Sequence, residues 1–267
     1  MNIIVPIKQV PETSNVKMDP VTGTMIRKGV ESIINPLDLY AIEAANQFKE
    51  THGGKVTVMT MGPGNAEKAL REALAMGCDE AVLISDRAFA GADTWSTAYV
   101  LARASQALGG FDLILCGERA TDGDTGQVGP NIASALDVPL VTYVSEIESL
   151  DMSSREMLVW RMTEYGYEKL QLPLPALLTV VKEISFPRLP TLRGKQRARA
   201  AEIKVFTTAN LDVENDRIGL KGSPTRVIRI ETPRVTRGGT IVKPVDEQGL
   251  EDAVNGLIEF LKAKELI

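Results

Sequence analysis

The residues best suited to bind a ligand lie in one stretch, 117–130, which combines four glycines with threonine, aspartate and glutamine side chains. The stretch follows an apolar run, residues 111–116, that is typical of a buried strand, and it leads into a helical pattern. Open parallel sheets bind nucleotides at such strand-to-helix edges, where free amides and the helix dipole favour anions. Glycines at 117, 123, 126 and 129 also permit close backbone approach. The stretch therefore predicts a nucleotide site.

The same residues also fit a plainer structure. Asp122 and Asp124 would repel a phosphate unless they face away, cap the following helix or accept from ribose hydroxyls. A glycine-rich turn with a helix cap explains the stretch equally well. A second polar group stands earlier in the chain, where Asn35 suits an N-cap, Pro36 suits the first helical position and Asp38 suits the dipole. Capping is one explanation of that group, and a helix start that borders the ligand is the other.

Composition excludes several other functions. With two cysteines, no CxxC pair and the single histidine His52 in a turn, the sequence predicts no disulfide framework, no metal site and no Ser-His catalysis. Neither GxGxxG after a strand nor the Walker-type loop occurs. The net charge of -5 and the lack of interleaved aromatic residues in the basic run 188–199 argue against nucleic acid. No signal peptide and no membrane-length apolar run is found, so we expect a cytoplasmic protein without membrane contact.

The elements that must position these residues alternate between strand and helix patterns from residue 2 to residue 142. This alternation predicts an α/β fold with a doubly wound, mostly parallel sheet. Four further strands, near 147–150, 157–162, 167–172 and 176–181, predict an added antiparallel meander. The long connection 9–35 is expected to carry function or a hairpin, which residues 18–26 suggest.

The chain changes character at residue 185, where Pro, Arg and Gly become frequent. We predict an α/β nucleotide-binding domain over 1–184, then a partner-recognition loop and an extended C-terminal arm over 185–267. Residues 250–264 predict an amphipathic helix at the end of the arm. That helix would pack either on its own domain or on a partner subunit.

The chain resembles the β subunit of electron transfer flavoproteins over nearly its whole length. The resemblance is carried, in order, by residues 8–11, 35–41, 61–63, 73–79, 117–130 and 189–190. Residues 159–179 approach the family's β signature, with Tyr165 where an acidic residue or glycine is usual. The resemblance implies an adenine-nucleotide α-hydrolase-like sheet, a heterodimer with an α subunit, and an arm that embraces α.

The resemblance also implies a cofactor pocket in this subunit. The matching positions are Pro6, Lys8, Gln9, Asn35, Pro36, Leu37, Asp38, Met61, Gly117, Glu118, Arg119, Ala120, Thr121, Asp122, Gly123, Asp124, Thr125, Gly126, Gln127 and Val128. No residue is expected to be catalytic, because the flavin would carry the chemistry.

The family has two branches that differ in the ligand of this pocket. The housekeeping branch holds AMP, and the electron-bifurcating branch holds a second FAD that takes hydride from NADH. The AMP branch usually has an acidic residue at position 123, a cysteine at 125 and no Asp-x-Tyr like that formed by Asp38 and Tyr40. Gly123 and Thr125 remove bulk and add a donor, which permits FAD without requiring it. We therefore expect FAD, with AMP as the alternative.

The implied function is electron bifurcation from NADH. One electron would go through the α-subunit FAD to an acyl-CoA dehydrogenase-like partner, and the other to ferredoxin or flavodoxin. Leu189 with the basic side chains of Arg193, Lys195 and Arg197 resembles the family's partner-recognition loop, an apolar anchor with a basic rim. Two alternatives remain: a shuttle subunit with a purely structural AMP, and a stand-alone nucleotide-binding regulatory protein that needs no α subunit.

Overall fold

A computed structural model describes residues 1–12, 32–228 and 239–267, so the hairpin predicted over 18–26 lies outside the described residues. The chain forms two compact units, Met1–Arg229 and Ile230–Ile267. The strands are β1 (Asn2–Pro6), β2 (Gln9–Pro11), β3 (Ser32–Ile34), β4 (Lys55–Met61), β5 (Glu80–Ile84), β6 (Leu113–Gly117), β7 (Leu140–Asp151), β8 (Glu156–Thr163), β9 (Gly166–Pro173), β10 (Ala176–Val180) and β11 (Lys204–Phe206). The helices are α1 (Pro36–His52), α2 (Glu67–Met76), α3 (Thr94–Ala107), α4 (Val128–Leu136), α5 (Leu192–Ala200), α6 (Gly219–Gly222) and α7 (Glu247–Ala263).

The first unit is built on a nine-stranded sheet in the order β11-β5-β4-β1-β6-β10-β7-β8-β9. The strands from β11 to β7 pair in parallel, and β8 and β9 continue the sheet antiparallel. The predicted α/β class and mostly parallel sheet are therefore confirmed. Two short strands, β2 and β3, pair antiparallel at the two ends of the long connection.

The strand at 176–181 was predicted in the antiparallel meander, and that placement is wrong. β10 lies between β6 and β7 and is parallel to both. Every residue of β10 is buried, as a strand covered on both faces requires. The strands predicted at 139–142 and 147–150 are in fact one strand, β7, whose first half pairs with β10 and whose second half pairs with β8.

Helices cover both faces of the sheet at its central strands β1, β4, β5, β6 and β10, because these strands present apolar side chains in both directions. One buried cluster packs α1 and α2 against the sheet, and the other packs α3 and α4 against the opposite face. Local signals mark the ends of the helices. Gly77 closes α2 with φ 133°, and the Asp93 carboxylate accepts from the Ser96 amide at 3.0 Å to cap α3.

Residues 185–228, which the sequence pattern places in the arm, contribute to the first unit. α5 packs on α2, and β11 extends the sheet beside β5. In the second unit the expected amphipathic helix is present as α7, capped by Asp246, whose carboxylate accepts from the Gly249 amide at 2.8 Å. Among the described helices none is long and apolar enough to cross a membrane.

Candidate functional site

The predicted site residues converge at one edge of the parallel sheet. Strands β1, β4 and β6 are neighbours and run in the same direction, so their carboxyl ends meet there. These ends carry Pro6, Met61 and Gly117. The start of α1 and the loop between β6 and α4, residues 118–127, complete the edge. This is where open α/β sheets bind ligands.

Asn35 ties three segments of this edge together. Its backbone amide donates to the Lys8 carbonyl at 2.8 Å. Its side-chain nitrogen donates to the Arg119 carbonyl at 2.9 Å and to Asp38 Oδ1 at 3.0 Å, and its Oδ1 accepts from the Thr121 amide at 3.1 Å. Asn35 does occupy the N-cap position of α1, but its side chain makes no capping hydrogen bond. The side chain therefore fixes the loop at 118–127 instead of the helix end.

Asp38 is the second buried link. Its carboxylate accepts from the Lys8 amide at 2.7 Å and from the Asn35 side-chain nitrogen at 3.0 Å. Burial raises the pKa of Asp38 to about 7, although these hydrogen bonds and the Lys8 charge lower it. A Cβ on Gly117 would lie 2.4 Å from Asp38 Oδ1, so only glycine fits beside this carboxyl. Asp38 thus holds the ends of β1 and β6 against the start of α1.

The acidic residues of the loop are matched by cations. Lys8 Nζ lies 2.6 Å from Asp122 Oδ1, and Arg119 Nε lies 3.1 Å from Asp124 Oδ1 and 3.8 Å from Glu118 Oε1. Capping by Asp122 or Asp124 was one alternative, and the structure shows ion pairs in its place. These pairs are exposed and contribute little stability. They do offset the negative charge that would otherwise repel a phosphate.

The backbone of the loop is suited to bind an anion. Asp124 and Gly126 have φ of 52° and 61°, which turns the chain just before α4. The amides of Thr125, Gly126 and Gln127 donate to no residue that the structure describes. The N-terminus of α4 adds its partial positive charge next to them. The donor set therefore fits the diphosphate or phosphate of a nucleotide.

The remaining predicted cofactor residues differ in their exposure. Gln9 Nε2 donates to the Asn65 carbonyl at 3.3 Å, and Gln127 Oε1 accepts from the Thr94 hydroxyl at 2.9 Å. Pro6 is buried, and Leu37, Met61, Ala120 and Val128 are half-buried. Pro36, Thr121, Gly123, Thr125 and Gln127 are exposed.

The four predicted partner-recognition residues lie elsewhere. The Leu189 side chain is 87% exposed, in keeping with an apolar anchor, and Arg193 and Lys195 are exposed on α5. Arg197 is used within the fold: its guanidinium donates to the Leu74 carbonyl at 2.9 Å and to the Cys78 carbonyl at 3.0 Å, at the end of α2. Among the described hydrogen bonds none joins these four residues to the 118–127 loop.

Two residues beside the loop were not predicted from the sequence. The Tyr143 hydroxyl lies 4.0 Å from the position that a Cβ on Gly126 would take, and Tyr143 has an unusual φ of 57°. Thr179 is buried on β10, and its methyl carbon would lie 2.6 Å from a Cβ on Gly129 in the first turn of α4. Tyr143 belongs to no motif identified in the sequence. Thr179 is the last residue of the 159–179 stretch that approaches the β signature, but its contacts with Tyr143 and Gly129 join segments far apart in the chain.

Comparison with known proteins places this geometry in a family. The electron transfer flavoprotein domain model matches residues 22–211. The chain belongs to the electron transfer flavoprotein family. The electron transfer flavoprotein subunit beta of Thermoanaerobacterium thermosaccharolyticum is 48% identical over 100% of both chains. The caffeyl-CoA reductase-Etf complex subunit CarD of Acetobacterium woodii is 45% identical, again over 100% of both. Protein FixA of Azorhizobium caulinodans is 44% identical over 87% of this chain and 85% of its own.

The family membership confirms the resemblance to electron transfer flavoprotein β subunits. A β subunit of this family implies an α-subunit partner and a role in electron transfer. Within the residues that the structure describes, no group of three or more His, Cys, Asp or Glu side chains could hold a metal. Both cysteines, Cys78 and Cys116, are buried free thiols, and burial raises their pKa.

Proposed function

We propose that this chain is the β subunit of an electron-bifurcating electron transfer flavoprotein and that its strand-end site binds FAD. The sheet would then be of the adenine-nucleotide α-hydrolase-like type, and the complex would act in the cytoplasm. When bound, FAD would supply the acceptor for a hydride from NADH; of the two electrons, one would be destined for the α-subunit FAD and an acyl-CoA dehydrogenase-like enzyme, and the other for ferredoxin or flavodoxin. The CarD relative supports an acyl-CoA partner, because its name places it in a caffeyl-CoA reductase complex.

The chain's own residues bind and position the cofactor. The amides of Thr125 to Gln127 and the α4 N-terminus would hold the diphosphate, and Lys8 and Arg119 would balance its charge. Asn35 and Asp38 would keep the loop and the β1 end at a fixed distance, so that the pocket is preorganised. The segment Lys8 to Pro11 would lie near the flavin ring.

The choice of FAD over AMP rests on one observation: the space around position 123 is open. Packing requires glycine at 117 and 129, and a positive φ favours it at 126. Gly123 has no such constraint: its φ is outside the left-handed region, and a Cβ there would meet Lys8 Nζ at 4.0 Å. Neither the backbone nor its neighbours therefore demand glycine at 123. A missing side chain at this exposed position leaves room for a larger ligand beside Lys8.

Cofactor extraction from the purified α/β complex tests the proposal. We expect two FAD per heterodimer in the wild type. Gly123→Asp should lower the flavin content towards one, because the new carboxylate would compete for Lys8 and repel the diphosphate. Tyr165→Asp adds the same charge at a position that is 98% exposed, in the turn between β8 and β9, and serves as the control. One FAD and one AMP in the wild type would contradict bifurcation, and unchanged flavin in Gly123→Asp would contradict the site assignment.

Expression of the chain without an α subunit tests the alternative that it is a stand-alone nucleotide-binding regulatory protein. A β subunit should be poorly stable alone and should be rescued by co-expression of α. A stable monomer that binds ATP and no flavin would support the regulatory function instead.

A further inference from the structure

Tyr143 adopts a backbone conformation that a bulky side chain normally avoids. It lies within β7 yet has φ of 57°, in the left-handed region. For a bulky non-glycine residue this conformation is strained, and it persists only where the surrounding structure fixes it. Glycine or asparagine would adopt it at lower cost. The tyrosine side chain therefore has to contribute something that offsets this strain.

Thr179 and an irregular strand pairing hold Tyr143 in place. The Tyr143 amide donates to the Thr179 hydroxyl at 3.1 Å. The register between β10 and β7 shifts between Leu178 and Val180, beside this contact. Such bulges redirect a side chain out of the regular alternation of a strand. Because the methyl group of Thr179 also packs under Gly129, the same residue supports Tyr143 and the start of α4.

The redirected ring faces the 118–127 loop. Its hydroxyl is 4.0 Å from the place of a Cβ on Gly126, and the Gly126 amide is one of the three that donate to no described residue. The Tyr143 side chain remains 43% exposed, so core packing does not explain its position. A phenol hydroxyl beside free amides is a further donor for a phosphate oxygen.

We propose that Tyr143 determines nucleotide affinity in this site by donating a hydrogen bond from its hydroxyl to a phosphate oxygen of the bound nucleotide. The inference rests on the proposed function, since it requires that the 118–127 loop holds a nucleotide. It applies to FAD and to AMP alike, because both carry a phosphate at that end. It predicts that the contribution of Tyr143 depends on the phosphate and not on the adenosine moiety.

Calorimetric titration with ADP and with adenosine tests the proposal. The α/β complex is first dialysed until the β nucleotide has left while the α flavin, checked by absorbance, is retained. Tyr143→Phe removes only the hydroxyl, and we expect it to weaken ADP binding about tenfold while adenosine binds as in the wild type. Tyr167→Phe, which removes an equivalent hydroxyl from the exposed strand β9, should change neither.

A second variant separates binding from folding. Tyr143→Asn suits the left-handed backbone and should raise the melting temperature, yet it should weaken ADP binding at least as much as Tyr143→Phe. Equal ADP affinity in Tyr143→Phe and the wild type would overturn the role of Tyr143 alone, as would an equal loss of adenosine. A wild-type complex that bound no ADP would overturn the nucleotide site itself.

Discussion

At the scale of single residues, Asp38 makes the stability of the protein depend on pH. Burial raises its pKa from 3.8 to about 7, so the folded protein binds its proton more tightly than the unfolded chain. The stability that this proton contributes is complete below the unfolded pKa and is lost as the pH rises through the folded pKa. Most carboxylates in ion pairs have a lowered pKa instead, so the stability that they contribute is lost as the pH falls.

We predict that Asp38 makes the protein less stable as the pH rises from about 4 to about 7, by up to about 4 kcal/mol. Asp38→Asn cannot titrate, so the free energy of unfolding of the wild type should fall relative to this variant over that interval. Urea unfolding of both chains at several pH values measures the difference. If the difference stays constant or grows with pH, Asp38 is ionised throughout.

The structural role of Asn35 can be predicted only in part from the sequence. Its sequence context correctly indicates the N-cap position of α1. The bonds of its side chain to Arg119 and Thr121 join residues 84 and 86 positions apart. Local propensities carry no information on such pairs, so the side chain's role follows only from the fold.

At the scale of elements, Arg188 fastens the segment after β10 to α1. Its guanidinium donates to the Glu43 carboxylate at 2.8 and 2.9 Å and to Glu50 at 2.5 and 3.0 Å. Glu43 is only 3% exposed. Burial alone would raise the pKa of Glu43, but the bonds from Arg188 outweigh it and the pKa is lowered. The stability from this pair is therefore present near neutral pH and lost as the pH falls through the folded pKa.

We predict that Arg188→Met lowers the free energy of unfolding by about 3 kcal/mol at neutral pH, because it leaves the buried Glu43 carboxylate without its cation. Glu50→Gln removes the exposed partner and should cost less than about 1 kcal/mol. The double variant Arg188→Met with Glu43→Gln should recover part of the loss, since no buried charge remains. Urea unfolding measures all three, and a loss of less than about 1 kcal/mol in Arg188→Met would count against this account.

For β10 the sequence predicts the strand itself but not its position in the sheet. The sequence correctly indicates that 176–180 is a strand, and its uninterrupted apolar character is typical of a strand covered on both faces. Because β10 directly follows β8 and β9 in the chain, its sequence position nonetheless favours the meander. Strand order depends on pairing between distant segments, which periodicity does not report. The alternating strands and helices up to α4, by contrast, were predicted from local signals alone.

At the scale of the whole molecule, the chain has a folded α/β unit and a C-terminal unit that carries exposed apolar side chains. Val254, Leu257, Ile258 and Phe260 of α7 are between 37% and 57% exposed. Helices with an apolar face of this kind usually pack on another surface. A β subunit of this family has an α subunit as its partner, so we expect α7 to contribute to the heterodimer.

We predict that a chain ending at Ile228 keeps the melting temperature of the isolated full-length chain within a few degrees but binds the α subunit at least about tenfold more weakly. The reason is that the cut removes α7 and leaves the sheet, both apolar clusters and the strand-end site intact. Surface plasmon resonance against immobilised α subunit measures the affinity. Leu257→Ser with Phe260→Ser in the full-length chain is the matched control and should reproduce the loss by removing apolar contact area alone. Unchanged affinity in the truncated chain would show that the heterodimer is held entirely by the α/β unit.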